Sequence, residues 1–105
     1  MNETPQSAAR IRACAQVRQI VTSCLSSVRA RVYLFGSTAR GDPGRASDID
    51  VAILPLEPIS PGLLASLREH LDESSVLYTV DVVNLADANP AFKARVEREG
   101  ILWSS

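Results

Sequence analysis

The sequence predicts an α/β domain: a small mixed sheet of about three to four strands covered by helices. Three features carry that expectation. Apolar residues recur at three- and four-residue steps across 13–28 and again across 63–71, the spacing of amphipathic helices. Runs rich in branched and aromatic residues, at 30–35, 49–54 and 76–85, alternate with them as strands would. Hydroxyl–proline or amide–proline pairs (Thr4-Pro5, Ser60-Pro61, Asn89-Pro90) stand where helices should begin.

In chain order, the first helix starts at Thr4-Pro5 and carries Ala13, Cys14, Val17, Ile20, Val21, Cys24, Leu25 and Val28 as its apolar stripe. Arg10, Arg12, Gln16, Arg18, Gln19, Thr22 and Ser26 take its wet side. The first strand covers Ala30 to Phe35. A loop of turn-forming residues follows from Gly36 to Ser47, with room for a short helix from Ser37. The second strand, Ile49 to Leu54, is mostly apolar, as an inner strand should be. Pro55, Pro58, Pro61 and Gly62 make a stiff connection to a second helix whose face is Leu63, Leu64, Leu67 and Leu71. Asp72-Glu-Ser-Ser75 ends it. The third strand runs from Val76 to about Leu85. Asn89-Pro90 opens a last helix through Glu99, closed by Gly100 in the usual C-terminal position. Ile101-Leu-Trp103 reads as an edge strand or a packed tail, with a core role favoured for Trp103.

At 105 residues the chain is expected to form one domain, residues 1–105, with a single core. No apolar run approaches a membrane span, and Met1-Asn-Glu-Thr-Pro5 lacks a charged segment followed by an apolar one, so a cytoplasmic location is expected. Cys14 and Cys24 lie about 15 Å apart along one helix at 1.5 Å per residue. That is too far for a disulfide, so they read as buried structural thiols. The net charge of −1 argues against general affinity for nucleic acid. The distribution is uneven. Residues 1–45 hold seven arginines against Glu3 and Asp42, a balance of +5; residues 46–105 hold four basic groups against ten acidic ones, a balance of −6. The basic half suits either a solvated helix face or contact with a polyanion or an acidic protein partner. His70 reads as a helix-edge residue, Tyr33 and Tyr78 as ordinary strand aromatics, and Lys93 as solvated.

The chemistry concentrates between Leu34 and Val51. Asp48 and Asp50 stand two apart at a strand start, so both side chains leave the same face with Cα atoms roughly 6.7 Å apart. Carboxylates so placed jointly ligate one or two hard cations, and oxygen-only ligands favour magnesium or manganese over zinc. Alone, such a pair is equally at home exposed at a strand end. Asp81 adds a third carboxylate inside Tyr78–Asn84, where burial without a partner would cost several kcal/mol. A cation shared with Asp48 and Asp50 would remove that cost; the alternative is an outward-facing residue of an edge strand. Near a metal, Asp81 is also placed to accept the proton of an attacking hydroxyl. Gly36 permits close backbone approach, and Ser37 adds a hydroxyl and an N–H at the start of a short helix, a phosphate-binding arrangement. Arg40 suits either a phosphate oxygen or a clamp on Asp42. For Ser37 and Asp48 to serve one triphosphate, the first two strands must converge as an antiparallel pair.

Gly36-Ser37-Thr-Ala-Arg40-Gly41, then Ser47-Asp48-Ile-Asp50-Val51, then Asp81 on a later strand, together resemble the polymerase-β-type nucleotidyltransferase superfamily, specifically its minimal nucleotidyltransferase (MNT) members. The resemblance extends over the whole chain. It implies transfer of a nucleoside monophosphate from a triphosphate to a hydroxyl with release of pyrophosphate. Asp48 and Asp50 would hold two Mg²⁺ ions, Asp81 would bind the metal nearest the attacking hydroxyl and help deprotonate it, and Gly36 and Ser37 would grip the β/γ-phosphates. Larger relatives carry extra domains that hold the acceptor, and similar stand-alone domains are antitoxins that adenylylate a tyrosine of a helical HEPN-type ribonuclease toxin. The resemblance therefore implies an antitoxin using ATP and Mg²⁺ on a partner protein, forming a hetero-oligomer with it through surfaces such as the first helix or the Ile101–Trp103 tail. Two alternatives stand beside it: a binding module that silences its partner by masking, and a nucleotidyltransferase acting on a small molecule such as an aminoglycoside.

Overall fold

A computed structural model describes residues 5–35 and 49–104, with side chains described from residue 8. The elements are α1 (Pro5–Cys24), β1 (Ala30–Phe35), β2 (Ile49–Pro55), α2 (Pro61–Glu73), β3 (Val80–Asn84), a single 3-10 turn (Leu85–Asp87), α3 (Pro90–Glu99) and β4 (Ile101–Ser104). The strands form one mixed sheet in the order β3-β2-β1-β4. β1 runs antiparallel to both β2 and β4, whereas β2 and β3 are parallel. The expected antiparallel pairing of the first two strands is thus present, with Phe35 opposite Asp50 at one end and Ala30 opposite Pro55 at the other.

Strand alternation sorts the core into two layers. Val32, Leu34, Val51, Ile53 and Val82 point to one face, where Ala13, Val17 and Val21 of α1, Leu25 just after it, and Leu64, Leu67 and Leu71 of α2 cover them. Tyr33, Phe35, Ala52 and Leu54 point to the other, under Leu85, Val96 and Phe92. Among the described elements, two helices therefore cover one face, and α3 packs on the opposite one. Every residue of β2 from Ile49 to Leu54 is buried, which explains its continuous apolar run. The buried positions of α1 fall at steps of four, as the sequence spacing requires, and Cys14 and Cys24 are half-buried free thiols. Desolvation pushes the Cys14 thiol above its ordinary value, with the Arg10 guanidinium opposing it.

The helix starts follow the sequence signals. Ser60 Oγ accepts from Leu63 N–H at 3.2 Å ahead of Pro61, and Asn89 Oδ1 accepts from Phe92 N–H at 2.8 Å ahead of Pro90. Two expectations need correction, and a choice left between two readings is resolved. The third strand is shorter than Val76–Leu85, because ladder pairing begins only at Val80, opposite Ile49. Val76–Thr79 has strand-like composition but lies outside the ladder, and Leu77 there is 94% exposed. Gly100 ends α3, but at φ −73 rather than in the left-handed region. Its value is closeness: a Cβ there would meet Val96 O at 2.7 Å and Tyr33 Cβ at 3.3 Å. Finally, Ile101–Ser104 is a true edge strand, with Trp103 in the core and its carbonyl bound by Arg18 Nη2 at 2.9 Å.

Candidate active site

The antiparallel β1–β2 pair and the parallel β2–β3 pair bring the C-terminal end of β1 and the N-terminal ends of β2 and β3 to one edge of the sheet. A row of register partners crosses that edge: Phe35 on β1, Asp50 on β2, Asp81 on β3. Adjacent strands stand about 4.8 Å apart, so the two carboxylates are direct neighbours. Asp50 alternates with Ala52 and Leu54, and Asp81 with Val83, so both leave the sheet on the face where α3 packs.

The two aspartates differ in environment. Asp50 is 5% exposed, the single buried charged residue among those described, and its Oδ2 is shut off from solvent. Asp81 is exposed. The burial expected for Asp81 is therefore not found: β3 is the outer strand of the sheet, and Arg68 donates from Nη2 to Val82 O at 3.0 Å along that rim. Asp50 is the buried carboxylate instead. It stands beside Asp81 in the ladder, and a hard divalent cation would relieve the repulsion between two carboxylates on neighbouring strands. The donors, oxygen-only and on neighbouring strands, fit magnesium or manganese. Among the described residues no cluster of three or more His, Cys, Asp and Glu is assembled. Of the residues singled out from the sequence, Asp48, Gly36, Ser37 and Arg40 lie outside the described residues, although the segment holding them joins Phe35 to Ile49 at this edge.

One neighbour carried no sequence signal. Arg95 of α3 holds its guanidinium 5.9 Å from the centroid of the Phe35 ring, and Phe92, one helical turn earlier, packs edge-on against the same ring at 5.3 Å between centroids. Only the three-residue spacing of Phe92 and Arg95 on a capped helix could have suggested that they share a face. His70, in contrast, stays clear of this edge, with Nδ1 2.8 Å from Ser66 O within its own helix.

Comparison with known proteins agrees with this geometry. The family described as "Polymerase beta, Nucleotidyltransferase" matches residues 22–105. A Haemophilus influenzae protein named probable protein adenylyltransferase MntA is 30% identical over 67 residues, 64% of this chain and 59% of its own length, so the chain spans somewhat over half of that relative. A crystal structure of a toxin–antitoxin with AMP-PNP contains a chain 26% identical, with a TM-score of 0.63 over 84% of this chain and 73% of that one. A structure of tri-AMPylated Shewanella oneidensis HEPN toxin in complex with MNT antitoxin matches with a TM-score of 0.65 and 21% identity, over 91% of this chain and 72% of that one, a likeness of fold. With the family pattern covering most of its length and the paired carboxylates at the expected sheet edge, the chain belongs to the polymerase beta nucleotidyltransferase family.

Proposed function

We propose that the chain is an antitoxin that transfers AMP from ATP to a tyrosine hydroxyl of a HEPN-type toxin. The observation that carries this reading is the buried Asp50 standing in register with the exposed Asp81 at one end of the sheet. The likeness to the MntA adenylyltransferase and to the toxin–antitoxin complex with AMP-PNP supports the choice of nucleotide and acceptor. Asp48, Asp50 and Asp81 would hold Mg²⁺, which when bound neutralises charge on the phosphates and lowers the pKa of the attacking hydroxyl. Asp50, fixed in an inner strand, positions rather than moves. Asp81, exposed on the outer strand, is open to an acceptor carried on another protein and accepts its proton. The acceptor oxygen bonds to the α-phosphorus as the bond to the bridging oxygen of the β-phosphate breaks, and pyrophosphate leaves. Gly36 and Ser37 would grip the β/γ-phosphates through backbone N–H groups, and Arg40 would supply a guanidinium for a phosphate oxygen.

The test is intact mass of the partner toxin after incubation with the chain, ATP and Mg²⁺. The expected result is a gain of one or more AMP units. Asp50→Asn should lower the rate by about a thousandfold, the loss of several kcal/mol of charge stabilisation. A toxin silenced in a stable complex without any mass gain would replace catalysis by masking. AMP transfer to an aminoglycoside in the absence of partner would overturn the choice of acceptor.

A further inference from the structure

We infer that a cavity beside Asp81 is the acceptor pocket, and that it seats the tyrosine ring whose hydroxyl receives AMP. The inference rests on the proposed function and adds to it the surface that selects the acceptor. A cavity of about 420 Å³ is lined by Val83 of β3, by Asp87 and Ala88 of the turn that follows, and by Phe92 of α3, with Arg68 of α2 beside them. That is far more than a water needs and lies within the range of small-molecule sites. Val83 follows Asp81 by two positions on one strand, so both side chains leave on one face with Cα atoms roughly 6.7 Å apart. A ring laid over Val83 therefore carries the hydroxyl at its far end toward Asp81, the group assigned to accept that proton.

The lining suits a neutral aromatic group better than a phosphate. Val83 and Phe92 give it apolar walls, and Phe92 is held by its edge-on contact with Phe35 at 5.3 Å between centroids. Among the described lining residues the only charges are Arg68 and Asp87, one of each sign, so the cavity has no net attraction for a polyanion. A serine or threonine acceptor would leave Val83 and Phe92 largely uncovered. The walls are also fixed in advance. Arg68 donates from Nη2 to Val82 O at 3.0 Å, and Asn84 Oδ1 accepts from Ala86 N–H at 2.9 Å, which holds the turn. Asn89 Oδ1 accepts from Phe92 N–H at 2.8 Å, which holds the start of α3. Such a pocket does not have to order its walls when the acceptor arrives. Arg68, Asp87 and Asn89 are exposed, so a ring carried on another protein can reach it.

The experiment has two arms. Amide NMR spectra of the full chain are recorded with N-acetyl-tyrosinamide as the probe and N-acetyl-serinamide as the comparison. KM for the partner toxin is measured beside the dissociation constant for ATP with Mg²⁺. The tyrosine probe is expected to shift the amides of Val83, Ala88 and Phe92, and the serine probe to leave them in place. Ala88→Leu, which fills the cavity from its wall, should abolish these shifts and raise KM for the toxin about tenfold, with ATP binding unchanged. Val83→Thr puts a hydroxyl under the ring and should move both readouts the same way by less, so the test stands even where the leucine disturbs folding. Unchanged ATP binding also shows that a variant is folded. Equal shifts from the two probes, no shift at these amides, or a toxin KM untouched in both variants would each overturn the inference. Loss of ATP binding in folded Val83→Thr, with toxin KM unchanged, would overturn it by making the cavity a nucleotide site. Wild-type protein that binds the tyrosine probe here but transfers no AMP to the toxin would remove the transfer reading and leave an aromatic docking pocket. Wild-type protein that modifies the toxin with no shift at these amides would keep the transfer reading and remove the pocket.

Discussion

At the scale of single residues, the proposed function gives the two described carboxylates different tasks, because the sheet gives them different surroundings. Asp50 lies in an inner strand buried from Ile49 to Leu54, so its orientation is fixed by neighbours on both sides. Asp81 lies one strand farther out, at the rim, where a group on another protein can reach it. Asp81→Asn keeps the shape and removes the proton acceptor. AMP transfer in a single turnover should fall by about 10²–10⁴-fold, the usual contribution of a positioned base, while ATP affinity changes far less than in Asp50→Asn. Rapid-quench transfer assays beside ATP calorimetry check this. Equal loss of affinity in the two variants would make Asp81 a nucleotide ligand rather than a base.

At the scale of elements, α3 is the described piece nearest the carboxylate row, because Phe92 and Arg95 pack on the Phe35 ring at its end. Its start is set by Asn89, whose Oδ1 takes the Phe92 N–H at 2.8 Å, and Phe92 is the residue that braces Phe35. Asn89→Ala should cost about 1 kcal/mol of stability by urea denaturation, the usual worth of a cap, and should raise KM for the toxin through a loosened Phe92. Asn89→Ser should restore both. A stability loss without any change in KM would uncouple the cap from the site. The boundaries of α3, β1 and β2 were legible in the sequence because local signals and burial agree there: Asn-Pro and Gly100 frame the helix, and continuous apolar runs mark strands covered on both faces. β3 was less legible. Val76–Thr79 has the composition of a strand, yet pairing starts only where β2 offers a partner, a fact about another segment. The same non-local cause hid the exposure of Asp81, since composition does not reveal which strand is outermost. Arg95 was hidden for a third reason: its significance depends on a ring sixty residues earlier in the chain.

At the scale of the whole molecule, the fold is closed by its two ends. The last strand, β4, inserts beside β1, and α1 grips it through Arg18 Nη2 on Trp103 O, a contact 85 residues apart in sequence. Trp103 packs into the same layer as Val17, Val21 and Leu25, so one side chain joins the last strand to the first helix. β1 is held between β2 and β4, and β1 carries Phe35 to the site edge. Loss of Trp103 therefore acts on the site through the strand that bears it. Trp103→Ala should cost about 3–5 kcal/mol, the usual range for emptying a large aromatic from a core. Domains of this size have a total stability of about 5–15 kcal/mol, so the variant should be close to unfolding at modest urea concentration. ATP bound only by the folded form should recover about 2.7 kcal/mol at a hundredfold excess over its dissociation constant, so the urea midpoint of the variant should rise when ATP and Mg²⁺ are added. Trp103→Phe, which keeps most of the apolar volume, should lose much less. A midpoint within about 1 kcal/mol of wild type in Trp103→Ala would mean that β4 is a dispensable edge, and that α1 and α2 alone hold β1 in place beneath the site.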